Sequence, residues 1–109
     1  MITGGYGFIG SHFIRLLRRE KPHWRIVNLD LLTYAGNIDN LADLNFTSNH
    51  PQYRFVQGDI ADLNLVRSAF ETESLDAVVN FAAETHVDRS FLDSTPFVRT
   101  NIDGARVLL

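Results

Sequence analysis

The stretch Thr3-Gly4-Gly5-Tyr6-Gly7-Phe8-Ile9-Gly10 constrains this chain more than any other. It holds Gly4-x-x-Gly7-x-x-Gly10 and, overlapping it, Gly5-x-Gly7-x-x-Gly10. In such a stretch one glycine permits a tight turn off a strand. The next has no side chain to hold a pyrophosphate away from the backbone, and the last lets the following helix pack closely on the sheet. Phosphates then sit at the helix N-terminus, where free N–H groups and the helix dipole favour negative charge. Glycine-rich turns occur in many loops, so the context decides. Here a helical pattern follows at once, and Asp30 lies twenty positions beyond Gly10, the place of an acidic ribose ligand in a dinucleotide site.

Strand and helix patterns alternate along the rest of the chain. Met1-Ile2-Thr3 leads into the turn. Phe8, Ile9, Phe13, Ile14, Leu16 and Leu17 form one apolar helical face, with Arg15, Arg18 and Arg19 opposite. Lys21-Pro22-His23 ends that helix, and Arg25-Ile26-Val27-Asn28-Leu29 reads as a strand ending at Asp30. A short helix is expected from Ile38 to Leu44 and a polar loop over 45–52. Tyr53-Arg54-Phe55-Val56-Gln57 reads as the next strand, stopping at Gly58-Asp59. Asp62 can cap a helix whose inner face is Leu63, Val66, Ala69 and Phe70. Ala77-Val78-Val79-Asn80-Phe81-Ala82-Ala83 is nearly continuous in apolar residues, as expected of a strand covered on both faces. Thr95-Pro96 opens a last helix, with proline at the permitted first position.

This order predicts an α/β chain with a Rossmann-type, doubly wound parallel sheet and right-handed crossovers. The candidate polar groups fall at four strand ends: the glycine turn, Asp30, Asp59, and the 83–85 segment. Open α/β sheets bind ligands there. Asp30 can accept from both ribose hydroxyls of an adenosine or cap the segment after it. A 2′-phosphate would meet like charge, and Leu31 and Leu32 rather than a cation follow it, so NAD is expected over NADP.

The 109 residues have room for one domain, and a net charge of −3 gives no basic field for nucleic acid or an anionic membrane. No apolar run is long enough to span a bilayer. A cytoplasmic protein is the default expectation. The short first strand and the apolar run through Leu108-Leu109 read as a Rossmann domain piece of a longer chain. His12, His23 and His50 lack metal-ligand spacing, so no metal is expected. Arg15, Arg18, Arg19, Lys21 and Arg25 read as a solvated basic face. His86, Asp88 and Arg89 could touch a ligand or partner, or Asp88 and Arg89 could pair with each other. Gly104 inside a helix, which costs about 1 kcal/mol relative to alanine, points to close packing.

Three stretches carry a family resemblance: the glycine turn through Ser11-His12, Asp30-Leu31-Leu32-Thr33-Tyr34-Ala35-Gly36-Asn37, and Phe81-Ala82-Ala83-Glu84-Thr85-His86-Val87-Asp88-Arg89-Ser90. With Thr100-Asn101-Ile102-Asp103-Gly104 they resemble the N-terminal part of extended short-chain dehydrogenase/reductases acting on nucleotide sugars, and most closely the dTDP-glucose 4,6-dehydratase family. The resemblance implies NAD as cofactor, dTDP-glucose as substrate, and a homodimer that uses the last helix. It implies that Gly4, Gly7 and Gly10 shape the phosphate turn, with the backbone N–H groups of Phe8 and Ile9 on the pyrophosphate. Asp30, Leu31, Leu32 and Thr33 would surround the adenosine ribose, and Asp59 and Ile60 the adenine. Phe81, Ala82, Ala83, Glu84 and Thr85 would line the middle of the cofactor, with Thr85 also reaching the sugar, and Thr100 would touch the cofactor from the last helix. The same resemblance puts catalysis in a Tyr-x-x-x-Lys pair and a Thr-Asp-Glu run, neither of which occurs in these residues. No catalytic residue is therefore assigned, and the chain alone is expected to be inactive. A related epimerase or a non-catalytic nucleotide-binding module remains open at this point.

Overall fold

β2 (Ile26–Asp30) is buried at all five positions, because it lies inside the sheet and is covered on both faces. A computed structural model of the chain describes residues 1–46 and 50–109; residues 47–49, within the polar loop expected over 45–52, lie outside the described residues. β1 (Ile2–Thr3), β3 (Tyr53–Gln57) and β4 (Val79–Asn80) join β2 in one four-stranded sheet of order β3-β2-β1-β4. All three pairings are parallel, with Ile2 opposite both Asn28 and Val79, and Ile26 opposite Tyr53. The chain leaves β1 toward β2 and β3 on one side and returns to β4 on the other. This reversal opens a crevice at the carboxyl ends of the strands, where doubly wound sheets place their ligands.

Two apolar layers cover the sheet. Ile2, Tyr6, Ile14, Ile26, Leu41 and Tyr53 form the core under α1 (Phe8–Glu20) and the 3-10 turns of Ile38–Leu44. Leu29, Ile60 and Val66 form the core under α2 (Leu63–Glu73), with Val107 and Leu108 packed against it. α2 starts as expected: the Asp62 carboxylate accepts from Asn64 N at 3.0 Å and Leu65 N at 3.1 Å. Among the described residues, no helix is long and apolar enough to cross a membrane.

Several sequence expectations need correction. Phe8 and Ile9, in the first turn of α1, are 78% and 64% exposed rather than part of the apolar face. Leu16, Leu63 and Phe70 are also exposed; they flank the buried stripes rather than belong to them. β4 is two residues long, and its Asn80 is exposed. The strand pairs on one side only, with β1, so apolar composition overstated both its length and its burial. The basic stretch is not simply solvated. Arg15 forms an ion pair with Asp43, Arg25 with Glu73, and Arg18 donates to Gln52 Oε1 at 2.9 Å.

A short α3 (Val87–Leu92) follows the 81–86 segment, a region the sequence reading left without an element. α4 (Thr95–Val98) then runs into π-helical turns over Arg99–Gly104 and on into α5 (Ala105–Leu108). Gly104 is buried, and a Cβ there would lie 2.5 Å from Ile60 Cδ1. The close packing expected of this glycine is therefore against Ile60.

The polar atoms of the β2 core have partners. Asn28 is fully buried, and its amide nitrogen donates to the Tyr53 hydroxyl at 2.9 Å. Burial, with help from Tyr6, pushes the Tyr53 phenol well above its ordinary pKa. A group that ionises less readily folded than unfolded gives stability that is complete below the unfolded value of about 10 and is lost as pH rises toward the folded one. Tyr53→Phe should cost about 1–3 kcal/mol at neutral pH by leaving the Asn28 amide unpaired. The same variant should flatten the alkaline limb of stability above about pH 10. Urea unfolding at pH 7 and at higher pH measures both.

Candidate functional site

The turn at residues 4–10 is fastened to β2 by two side chains on one face of that strand. Gly5 N donates to Asn28 Oδ1 at 3.1 Å, and Tyr6 N donates to Asp30 Oδ2 at 2.8 Å. Strand periodicity puts Asn28 and Asp30 on the same side, beneath the turn. Gly4 N bonds Leu29 O at 2.9 Å, and Gly7 N bonds Gly4 O at 3.1 Å. Gly4 has φ +64°, and a Cβ there would come within 2.7 Å of Ala82 N. At Gly10 a Cβ would collide with the Gly4 carbonyl oxygen. The turn therefore needs glycine at both positions, one for its backbone angle and one for helix–turn contact.

α1 begins directly after this turn, with Gly7 as its N-cap and no side chain capping it. Ser11 N reaches back to Gly7 O at 3.0 Å, while the N–H groups of Phe8 and Ile9 stand at the open helix end. An uncapped N-terminus beside backbone that no Cβ crowds is what a pyrophosphate requires. The residues present thus fit a dinucleotide.

One cleft gathers groups from all four strand ends. Gly4 and Gly7 line it from the first, and Asp30, Leu31 and Thr33 from the second. Asp59 and Ile60 come from the third, Phe81 to Glu84 from the fourth, and Thr100 from the last helix. Five of the expected residues do not line it. Gly10 is buried under the turn, while Phe8 and Ile9 face outward and offer only their backbone. Leu32 packs its side chain into the α1-side core. Its φ of +58° is unfavourable for a branched side chain, and the Asp30 Oδ1 bond to Leu32 N at 2.8 Å holds it there. Thr85 is exposed just beyond the cleft.

Both acidic candidates already hold the protein together. Asp30 accepts from Tyr6 N and Leu32 N, so it braces the turn and caps its own loop. An ionised carboxylate has about four acceptor sites, which leaves capacity for ribose hydroxyls. Asp59 accepts from Ala61 N at 2.8 Å through Oδ1 and pairs with Arg99 Nε at 2.8 Å through Oδ2. The ion pair with Asp59 holds the Arg99 guanidinium above its ordinary pKa. Any contact of Asp59 with a base must share the carboxylate with this cation.

Five contributing side chains were given no role from sequence. Asn28 was read only as a strand residue; a polar side chain two positions before Asp30 in a buried strand was the available signal. Asn101 clamps Glu84 on both sides, accepting from Glu84 N and donating to Glu84 O, each at 2.9 Å. Arg99 had no signal, since its pairing with Asp59 spans 40 positions. Thr3 and Asn80 bond each other through their side chains, and both lie within reach of Ala82 N, at 3.3 and 3.2 Å. Among the described residues, Asp88 and Arg89 do not form an ion pair.

A doubly wound sheet with a glycine turn at its reversal point and acidic groups at the next two strand ends defines a dinucleotide-binding fold. The chain belongs to the GDP-mannose 4,6 dehydratase family, whose family model matches residues 1–109. It is 45% identical over its full length to the human dTDP-D-glucose 4,6-dehydratase, of which it covers 30%. A double mutant of a Streptomyces venezuelae dTDP-glucose 4,6-dehydratase, solved with NAD and DAU bound, superposes with a TM-score of 0.84 at 46% identity, over 98% of this chain and 33% of that one. The UDP-Glc/GlcNAc 4-epimerase of Campylobacter jejuni gives a TM-score of 0.82 at 31% identity, over 98% of this chain and 31% of that one. The chain thus spans about a third of the length of these relatives.

Gly10→Ala should weaken binding of ADP, as a probe of the adenosine and pyrophosphate half of the cleft, by about tenfold or more, equivalent to about 1.4 kcal/mol. The cause is the collision with the Gly4 carbonyl. Isothermal titration with ADP on wild type and variant checks it.

Proposed function

We propose that this chain is the NAD-binding part of a nucleotide-sugar 4,6-dehydratase that converts dTDP-glucose to dTDP-4-keto-6-deoxyglucose with loss of water. The observation that carries this reading is the convergence of four strand ends on one cleft beside an uncapped helix N-terminus. Phe8 and Ile9 give their N–H groups to the pyrophosphate across the glycine turn. Asp30 accepts from the adenosine ribose, and Leu31, Leu32 and Thr33 shape the loop around it. Asp59 and Ile60 flank the adenine, with Asp59 shared between the base and Arg99. Phe81, Ala82, Ala83 and Glu84 line the central stretch, Thr100 approaches from the last helix, and Thr85 reaches the sugar from just outside the cleft. Bound NAD supplies a hydride acceptor that a water-loss reaction without net redox change can use and restore. The negative charge of Asp30, followed by Leu31 and Leu32, favours NAD over NADP.

Catalytic groups are assigned to residues outside this chain, so the 109 residues alone give no turnover. Phe91 and Leu92 on α3, Val98 on α4 and Ile102 in the π-helical turns are large, apolar and exposed, which supports a homodimer of the parent enzyme. A 4-epimerase would use the same cleft. The higher identity to dehydratases, 46% against 31%, together with the Leu32-Thr33-Tyr34-Ala35-Gly36-Asn37 stretch, favours dehydration.

The natural full-length polypeptide, given dTDP-glucose, UDP-glucose or NAD alone as control, should form a product lighter by one water from dTDP-glucose. An isomer of unchanged mass would instead identify an epimerase, and faster conversion of UDP-glucose would correct the base. Asp30→Ala should weaken both NAD and NADP, because the turn loses the brace at Tyr6, but NAD by about tenfold more. Equal losses in a binding titration would remove Asp30 from the ribose.

A further inference from the structure

Tyr34 sits between Thr33 and Ala35, which line the cleft, and itself lines an adjoining groove. Its hydroxyl donates to Glu84 Oε2 at 2.9 Å and lies 3.0 Å from His86 Nδ1. A phenol has one proton. With that proton directed to Glu84, the phenol oxygen is free to accept from His86 in its Nδ1–H tautomer. The His86 ring stands edge-on to the phenol, with centroids 5.0 Å apart at 84°, and the Arg89 guanidinium lies 4.0 Å from the ring centroid. Desolvation, then Glu84, raises the Tyr34 pKa, so the phenol keeps the proton it donates.

This cluster joins two segments that are 50 positions apart. One is the loop after Asp30, whose Thr33 lines the cleft; the other is the 84–86 segment, whose Glu84 lines it from the far side. Thr33 and Glu84 also line the adjoining groove, together with Tyr34, Arg89, Leu92 and Phe97. The Tyr34–Glu84 contact therefore lies on the groove side of the boundary that cleft and groove share at Thr33 and Glu84. Asn101 fixes the Glu84 backbone from the helix side, and Tyr34 fixes the Glu84 side chain and His86 from the loop side. Thr85 lies between these two anchored residues.

We propose that Tyr34 is a positioning residue, which reaches across the groove beside the cofactor cleft to hold the 84–86 segment so that Thr85 is presented to the nucleotide sugar. This rests on the functional reading above, in which Thr85 reaches the sugar. Tyr34 acts through Glu84 and His86 and touches neither the reacting atoms nor the cofactor.

The test uses Tyr34→Phe in the natural full-length polypeptide. The variant keeps the ring under Arg89 and removes only the two hydroxyl contacts. Steady-state kinetics with dTDP-glucose should show KM raised about tenfold, with kcat within about twofold of wild type. NAD affinity, titrated directly, should change less than about twofold, and the thermal midpoint should be unchanged. Amide hydrogen exchange with NAD bound should speed up at 84–86 and not at the glycine turn. An unchanged KM overturns the inference, as does a loss of NAD affinity with a lowered thermal midpoint, which marks a general structural role. A wild-type protein that dehydrates no nucleotide-linked glucose refutes the functional reading and this inference with it. Wild-type turnover with an unaltered KM in the variant refutes the inference alone.

Discussion

The hydrogen bonds from Gly5 N to Asn28 and from Tyr6 N to Asp30 are the contacts on which the rest of the site depends. They fasten the glycine turn to the buried strand beneath it. The turn then sets where α1 begins, and α1 sets where its free N–H groups point. Both acceptors are buried, so an amide that lost its partner would have no water to replace it. The cost of an unmade bond in such a place is about 1–3 kcal/mol, which makes the fastening specific as well as stabilising. Asn28 is in turn oriented by the Tyr53 hydroxyl. A chain of contacts thus runs from β3 through β2 to the turn.

The far rim of the cleft is held differently. Gly104 lets the last helix settle on Ile60, and this apolar contact anchors the helix. The polar contacts nearby orient rather than stabilise. Arg99 and Asp59 are partly exposed, and an ion pair of that kind is worth about 0–1 kcal/mol. What Arg99 does is fix the direction of the Asp59 carboxylate at the rim. Asn101 does the same for the Glu84 backbone. Both lie in the π-helical turns, where the extra residue per turn shifts side chains relative to a regular helix.

Much of the fold was legible because burial in a parallel sheet leaves a strong trace in sequence. β2 is a β-rich run that ends at Asp30, β3 alternates and stops just before Gly58-Asp59, and α2 is announced by Asp62. Length and exposure were less legible. The 77–83 run reads as a long buried strand, yet β4 pairs only at Val79 and Asn80 and, among the described residues, only with β1. Apolar content shows which residues can be buried, while pairing decides how many are. Phe8 and Ile9 make the same point: their spacing fits the helix face, but both are exposed in the first turn of α1.

The sequence by itself determined the glycine turn, the order of strands and helices, and the acidic residues at the strand ends. Each is a local property, written in spacing, in a missing Cβ or in an apolar period. Only the tertiary structure decided what those residues touch. Asp30 braces a turn 24 positions earlier, Arg99 meets Asp59 across 40, and Tyr34 meets Glu84 across 50. Contacts of that range exist only once the sheet has brought its strand ends together. No periodicity in the chain encodes them.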